Sequence, residues 1–211
     1  MRALSPEGVL SVGPDLSLAE SGAGPVEAID VLQAAEVDYV VVPDGHTPEA
    51  IYEKIEVIGA ALGVSETADA LIAEVEADFT EALSVEVAEP RRVLFVLSTS
   101  GGRITASGAG TSADGMIALA GGVNVMSDFE GWKQVSDEAI IAAAPDVIVM
   151  MDRGGDHAAA NAELLAMPAI APTPAAQSRS IVRMNGLFLL GFGPRTPQAV
   201  IELRNAIADV D

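Results

Sequence analysis

Apolar positions follow two rhythms along this chain. Short continuous or alternating runs read as strands: DLSLAES (Asp15 to Ser21), DYVVVPD (Asp38 to Asp44), RRVLFVLS (Arg91 to Ser98), VNVM (Val123 to Met126), DVIVMM (Asp146 to Met151) and SIVRMN (Ser180 to Asn185). Between them lie helical stretches such as PVEAIDVLQAAE (Pro25 to Glu36) and TSADGMIALAGG (Thr111 to Gly122), the second closed by glycines as helix ends often are. Strand and helix in alternation predict parallel sheets covered by helices.

One segment departs from that alternation. After TPEAIYEKIEVIGAALG (Thr47 to Gly63), Ser65 is placed to cap a long helix in which Ala68, Leu71, Ile72, Val75, Phe79 and Leu83 recur on one face. At ~1.5 Å per residue this is a rod of roughly 28 Å that ends before Pro90. The organisation expected is α/β: two Rossmann-like lobes with parallel sheets joined by a long backbone helix. Residues 1–64 form a partial N-terminal lobe with two clear strands, 65–90 the linking spine, and 91–211 a C-terminal lobe with four.

A repeat supports two related lobes. LSPEGVLSVGPDLSLA (Leu4 to Ala19) returns as VSDEAIIAAAPDVIVM (Val135 to Met150), and Ser5, Glu7, Pro14 and Asp15 correspond without a gap to Ser136, Glu138, Pro145 and Asp146. By residue type alone, an acid in the first turn of each helix favours the helix dipole.

Composition narrows the classes. The chain has 211 residues, long enough to bury a full core, and no apolar run approaches the ~18 to 20 residues that span a bilayer. MRALSPEG lacks the form of a signal peptide. A formal charge of −20, from 31 acidic against 11 basic residues, sets the chain against phosphate backbones and excludes nucleic acid as the expected partner. That excess is also what a salt-adapted or GC-rich genome produces. With no cysteine there are no disulfides, thiolate metal sites or cysteine nucleophile.

In open α/β sheets the ligand crevice lies beyond the carboxyl ends of the strands. Those ends are Glu20 and Ser21, Asp44 to His46, STSGGR (Ser98 to Arg103), MDRGGDH (Met151 to His157) and NGLFLLGFGPR (Asn185 to Arg195). Glycine, hydroxyls, arginine and methionine together suit a flat apolar ligand with anionic edges. The loop Ser98, Thr99, Ser100 lacks the glycine order of a nucleotide loop. Arg153 has a competing role as a helix-end or Asp152 partner, and Met150 and Met151 as core packing at a strand end. The aromatics Tyr39, Tyr52, Phe79 and Phe95 fall on core faces. No GxSxG elbow or HExxH motif is present, which leaves an α/β enzyme using the Ser98–Ser100 loop as the minor alternative.

These residues carry a resemblance. MRALSPEGVLSVGPDL, VVVPD followed by TPE, GTSADGMIALAGGVN, SDEAIIAAAPDVIVM, DRG and above all MNGLFLLGFGPRTPQA resemble the periplasmic haem-binding proteins of bacterial haem-uptake ABC transporters. These belong to the helical-backbone (class III) substrate-binding proteins, which also include cobalamin and siderophore binders. The resemblance implies a non-enzymatic, monomeric, periplasmic protein that binds haem b between two lobes and delivers it to a permease dimer. Another iron or cobalt chelate, a siderophore or cobalamin, is the alternative cargo.

The resemblance also assigns residues. Family members begin with a signal peptide and a first strand and helix, and their iron-ligating tyrosine immediately precedes the segment matching MRALS. On that alignment the chain is truncated at its N-terminus, with an incomplete first lobe and the principal metal ligand upstream of Met1. Arg2 matches the arginine beside that tyrosine, and Arg153 one that reaches the propionates. Ser98, Thr99 and Ser100 occupy the loop where some members carry a histidine ligand, and His157 has no family warrant as a ligand. Glu7 and Glu138 match two glutamates that dock on permease arginines, and the in-phase repeat then mirrors the permease two-fold.

Overall fold

The computed structural model describes residues 5–35, 37–152, 154 and 157–209. The chain divides into two compact units, Met1–Glu74 and Val75–Asp211.

The front unit contains α1 (Pro6–Leu10), β1 (Leu16–Glu20), α2 (Val26–Ala34), β2 (Asp38–Val42) and α3 (Pro48–Ala61), followed by α4 (Ser65–Ala82), which crosses the division. β1 and β2 pair in parallel, from Leu16 opposite Asp38 to Glu20 opposite Val42. The start of α3 is set by its sequence: Thr47 accepts a bond from the Ala50 amide at 3.3 Å, and Pro48 follows, where its missing N–H costs nothing. Gly63, at φ 71°, ends the helix. The chain then doubles back so closely that a Cβ on Gly59 would lie 2.3 Å from that of Ala68. The Val64 carbonyl accepts the amides of Thr67 and Ala68, each at 3.0 Å. Ser65 is therefore the first helical residue of α4, and the expectation that it caps the helix is corrected.

On α4 the predicted stripe is buried at Ala68, Val75 and Phe79, and half-buried at Leu71 and Ile72. Leu83 lies past the helix end and is 45% exposed.

The rear unit continues with β3 (Arg92–Ser98), β4 (Thr105–Ser107), α5 (Ser112–Leu119), β5 (Val123–Asn124), β6 (Trp132–Gln134), α6 (Asp137–Ala143), β7 (Val147–Asp152), α7 (His157–Leu165), α8 (Pro174–Gln177), β8 (Ile181–Asn185), α9 (Gly186–Leu190) and α10 (Thr196–Ala208). β3, β7 and β8 are parallel neighbours, and β5 adds in parallel beside the start of β3. The sheet is nevertheless mixed, because β4 runs antiparallel to β3 and β6 antiparallel to β4. The parallel sheet expected of the C-terminal lobe is thus present in β5, β3, β7 and β8, with an antiparallel extension through β4 and β6. TAS and WKQ have three residues each; TAS lies between β3 and β6, and WKQ is the edge strand, exposed at each residue, so neither carries an apolar alternation. The VNVM candidate shortens to two residues because Asn124 turns the chain: its Oδ1 accepts from the Met126 amide at 3.1 Å.

The centre of the rear sheet is fully buried. Val93 to Val96 on β3 and Val147 to Val149 on β7 are at most 1% exposed, as expected of strands covered on both faces. Phe95 is buried with them and meets Trp132 edge to face at 5.6 Å, whereas Tyr39 and Tyr52 are only half-buried. The GTSADG turn into α5 is held by a polar network. Thr111 accepts the Asp114 amide at 3.1 Å, and Asn124 Nδ2 donates to Asp114 Oδ1 at 2.8 Å and to the Ser107 carbonyl at 3.2 Å. Each buried polar group there has a partner, as burial requires.

Candidate binding site at the strand ends

At the carboxyl ends of β3, β7 and β8, on the face covered by α7, lies a cavity of about 490 Å³. This is within the ~300–1,000 Å³ range of small-molecule sites. One wall is the end of β3 with the loop that follows, which contributes Ser98, Thr99, Ser100 and Gly102. Gly101 and Gly102, at φ 65° and 72°, give this loop two consecutive left-handed residues. Glycine adopts that conformation without the penalty a side chain brings, so the strand turns sharply and leaves its hydroxyls at the rim. Ser98 is half-buried, and Thr99 and Ser100 are exposed.

The floor is a row across three strands. Val96 lies opposite Met150, and Met150 opposite Arg183, in the parallel register, and all three line the cavity. Met151 and Met167 add two more thioethers. Met150 and Met167 also pack against the buried cluster that includes Leu94, Ile148 and Ile170, so the cavity is floored by the edge of the core. Met150 therefore both packs on the core and lines the cavity. Polarizable methionine is suited to an apolar ring face. Glu163 and Leu164 of α7 form the cover.

The structure brings Ser98, Thr99 and Ser100 together on this cavity. Arg2 and Arg153, assigned to the ligand by resemblance, lie outside the described residues. His157 opens α7, beside the cavity's cover in sequence. Glu7 and Glu138 stand exposed in the first turns of α1 and α6, each two residues after a capping serine. Ser5 Oγ accepts the Gly8 amide at 3.2 Å and Ser136 Oγ the Ala139 amide at 3.2 Å. Ser5 also donates to Glu7 Oε2 at 3.0 Å. Arg195 precedes α10 without capping it through its side chain; its guanidinium lies 5.8 Å from the Phe188 ring centroid.

Arg183, Met167 and Glu163 are lining residues that the sequence reading missed. The available signal was a charge flanked by the apolar residues Ile181, Val182 and Met184, two residues before the carboxyl end of the strand. A second cavity, about 360 Å³, lies at the opposite end of the sheet and includes Arg204 and Asp146. Both are committed to the protein itself: Arg204 donates to the Ala82 carbonyl, and Asp146 Oδ2 accepts the Arg92 amide at 2.9 Å.

A mixed sheet covered by helices, with a methionine-floored cavity at its strand ends, is the arrangement in which small-ligand sites of α/β folds are found. The chain belongs to the periplasmic binding protein family, whose model matches residues 2–186. It is 32% identical over 152 residues to the uncharacterized ABC transporter substrate-binding lipoprotein YvrC of Bacillus subtilis (strain 168). That match takes in 69% of this chain and spans about half, 48%, of the relative. Among solved structures it is similar to the periplasmic heme-binding protein BhuT in complex with two hemes, with a TM-score of 0.92 and 41% identity over 99% of this chain and 80% of that one. It is also similar to the periplasmic heme-binding protein RhuT from Roseiflexus sp. RS-1 in apo form, with a TM-score of 0.91 and 37% identity over 99% of this chain and 81% of that one.

Proposed function

We propose that this protein is the substrate-binding component of an ABC importer, that its cargo is haem, and that it works outside the cytoplasm, in the periplasm. The observation that carries the reading is the cavity at the strand ends, which combines an apolar methionine floor with a rim of hydroxyls and a guanidinium. A porphyrin offers the matching surface, a flat apolar ring with carboxylates at one edge. The similarity to BhuT and RhuT, both named as heme-binding, supports the same cargo.

Delivery rests on Glu7 and Glu138. Both are exposed, and both follow a capping serine at the same offset, so each presents a carboxylate from a short helix of fixed orientation. We assign them to a permease dimer whose two halves each supply a basic partner. The protein binds and hands over its cargo as a monomer, without transforming it.

A hemin titration followed by visible absorbance, with cobalamin and a ferric siderophore as competitors, tests the cargo. A saturable haem spectrum that neither competitor displaces is expected. Displacement by either competitor, or no saturable change, would overturn the haem assignment.

A further inference from the structure

We propose that Arg183 is a carboxylate-binding residue of the haem site, aimed by Asn161, and that it sets a preference for tetrapyrroles with free propionates. The inference rests on the haem reading above and assigns its anionic edge to a residue on β8.

The guanidinium has five N–H donors in a planar fork. Among the described residues one is used: Nε donates to Asn161 Oδ1 of α7 at 2.7 Å. That bond fixes the plane of the fork, and Arg183 forms no ion pair with a described residue. Glu163 lines the same cavity, yet it too is not ion-paired with Arg183. The terminal nitrogens are thus the part of the fork left for a ligand, and they are what a carboxylate engages in paired hydrogen bonds.

Placement within the sheet gives this charge its purpose. Arg183 ends the row Val96, Met150, Arg183, so a flat ligand lying over the valine and methionine would bring one edge to the guanidinium. Among the described residues β8 is the outermost strand on that side of the sheet, where the charged end of a ligand stays nearest to water. Its other face is apolar and packed: Val182 and Met184 are 7% and 3% exposed. A half-buried arginine with one acceptor among the described residues, beside an apolar floor, has further donors to offer an arriving anion. The arginine of the opposite cavity differs in which nitrogen it uses: Arg204 spends a terminal nitrogen, Nη1, on the Ala82 carbonyl, whereas Arg183 uses Nε.

The test compares hemin with hemin dimethyl ester on the whole chain, for the wild type, Arg183→Gln and Asn161→Ala. Losing a charged bidentate contact should weaken hemin binding by about tenfold to a hundredfold in Arg183→Gln. Affinity for the ester should stay unchanged, which also reports that the variant is folded. Asn161→Ala, which releases the fork without removing it, should lose several-fold for hemin and nothing for the ester. Arg183→Lys, with the charge but no fork, should recover only part of the loss. If wild-type protein binds hemin and Arg183→Gln shifts both ligands equally or neither, Arg183 does not hold the carboxylate while the haem reading stands. If the wild type binds neither ligand, both fall.

Discussion

The two copies of the repeat form the same local structure and come to rest in different surroundings. In each, a serine caps a short helix, an acid occupies the first turn, and a Pro-Asp pair leads into a strand. The strand β1 has no buried residue, whereas β7 buries its first three. Among the described residues β1 has a single partner, β2, and Leu18 and Val41 of that pair are 41% and 49% exposed. β7 lies between β3 and β8. Sequence written in the same order thus fixes caps, helix and strand locally. The number of neighbouring strands decides how much apolar surface each copy removes from water.

The same contrast runs through the two units. Among the described residues the front unit buries the apolar side chains Ala28, Leu32, Val42, Ile51, Ile55 and Ala68, mostly from its helices. The rear unit buries continuous stretches of two central strands together with large side chains such as Phe95, Phe192 and Met116. Stability held in packing is therefore expected to sit in the rear unit, close to the proposed site.

Truncation in each strand would expose this difference most strongly. Ile148→Ala in β7, at a position with no exposed area, should cost about 2–5 kcal/mol in denaturant unfolding. Leu18→Ala in β1 should cost under about 1 kcal/mol, because the side chain already keeps 41% of its surface in water. Equal costs would break the comparison. A smaller effect should sharpen it: Ser5→Ala and Ser136→Ala each remove one cap, worth about 0.5–2 kcal/mol. The two losses should be similar, since capping is local, with Ser5→Ala also freeing Glu7. A large disparity between them would mean that the copies are not locally equivalent.

The legible and illegible parts of the sequence divide along the same physical line. All strands with a continuous apolar run were readable, as were the helices with caps such as Thr47 and Thr111, because the signal lies within the element. β4 and β6 were not: their three residues earn strand geometry from neighbours, through antiparallel pairing that no local pattern encodes. Ser98, Thr99 and Ser100 could be placed at the site because they follow an evident strand. Arg183 could not, since its role depends on Asn161 and on the row it shares with Met150 and Val96, and those contacts join four separate elements. Met167 is similar, reaching the cavity from the turn beyond α7.

Reception of haem at the carboxyl ends of β3, β7 and β8 is the proposal on which the others depend. Amide hydrogen exchange with and without hemin tests it most directly, because it reads each strand end separately. Slowed exchange is expected at residues 98–102, 150–152 and 183–190, with no change at residues 91–92 and 146 at the opposite end of the sheet. Protection confined to that opposite end, or none at the three strand ends in hemin-saturated protein, would contradict it.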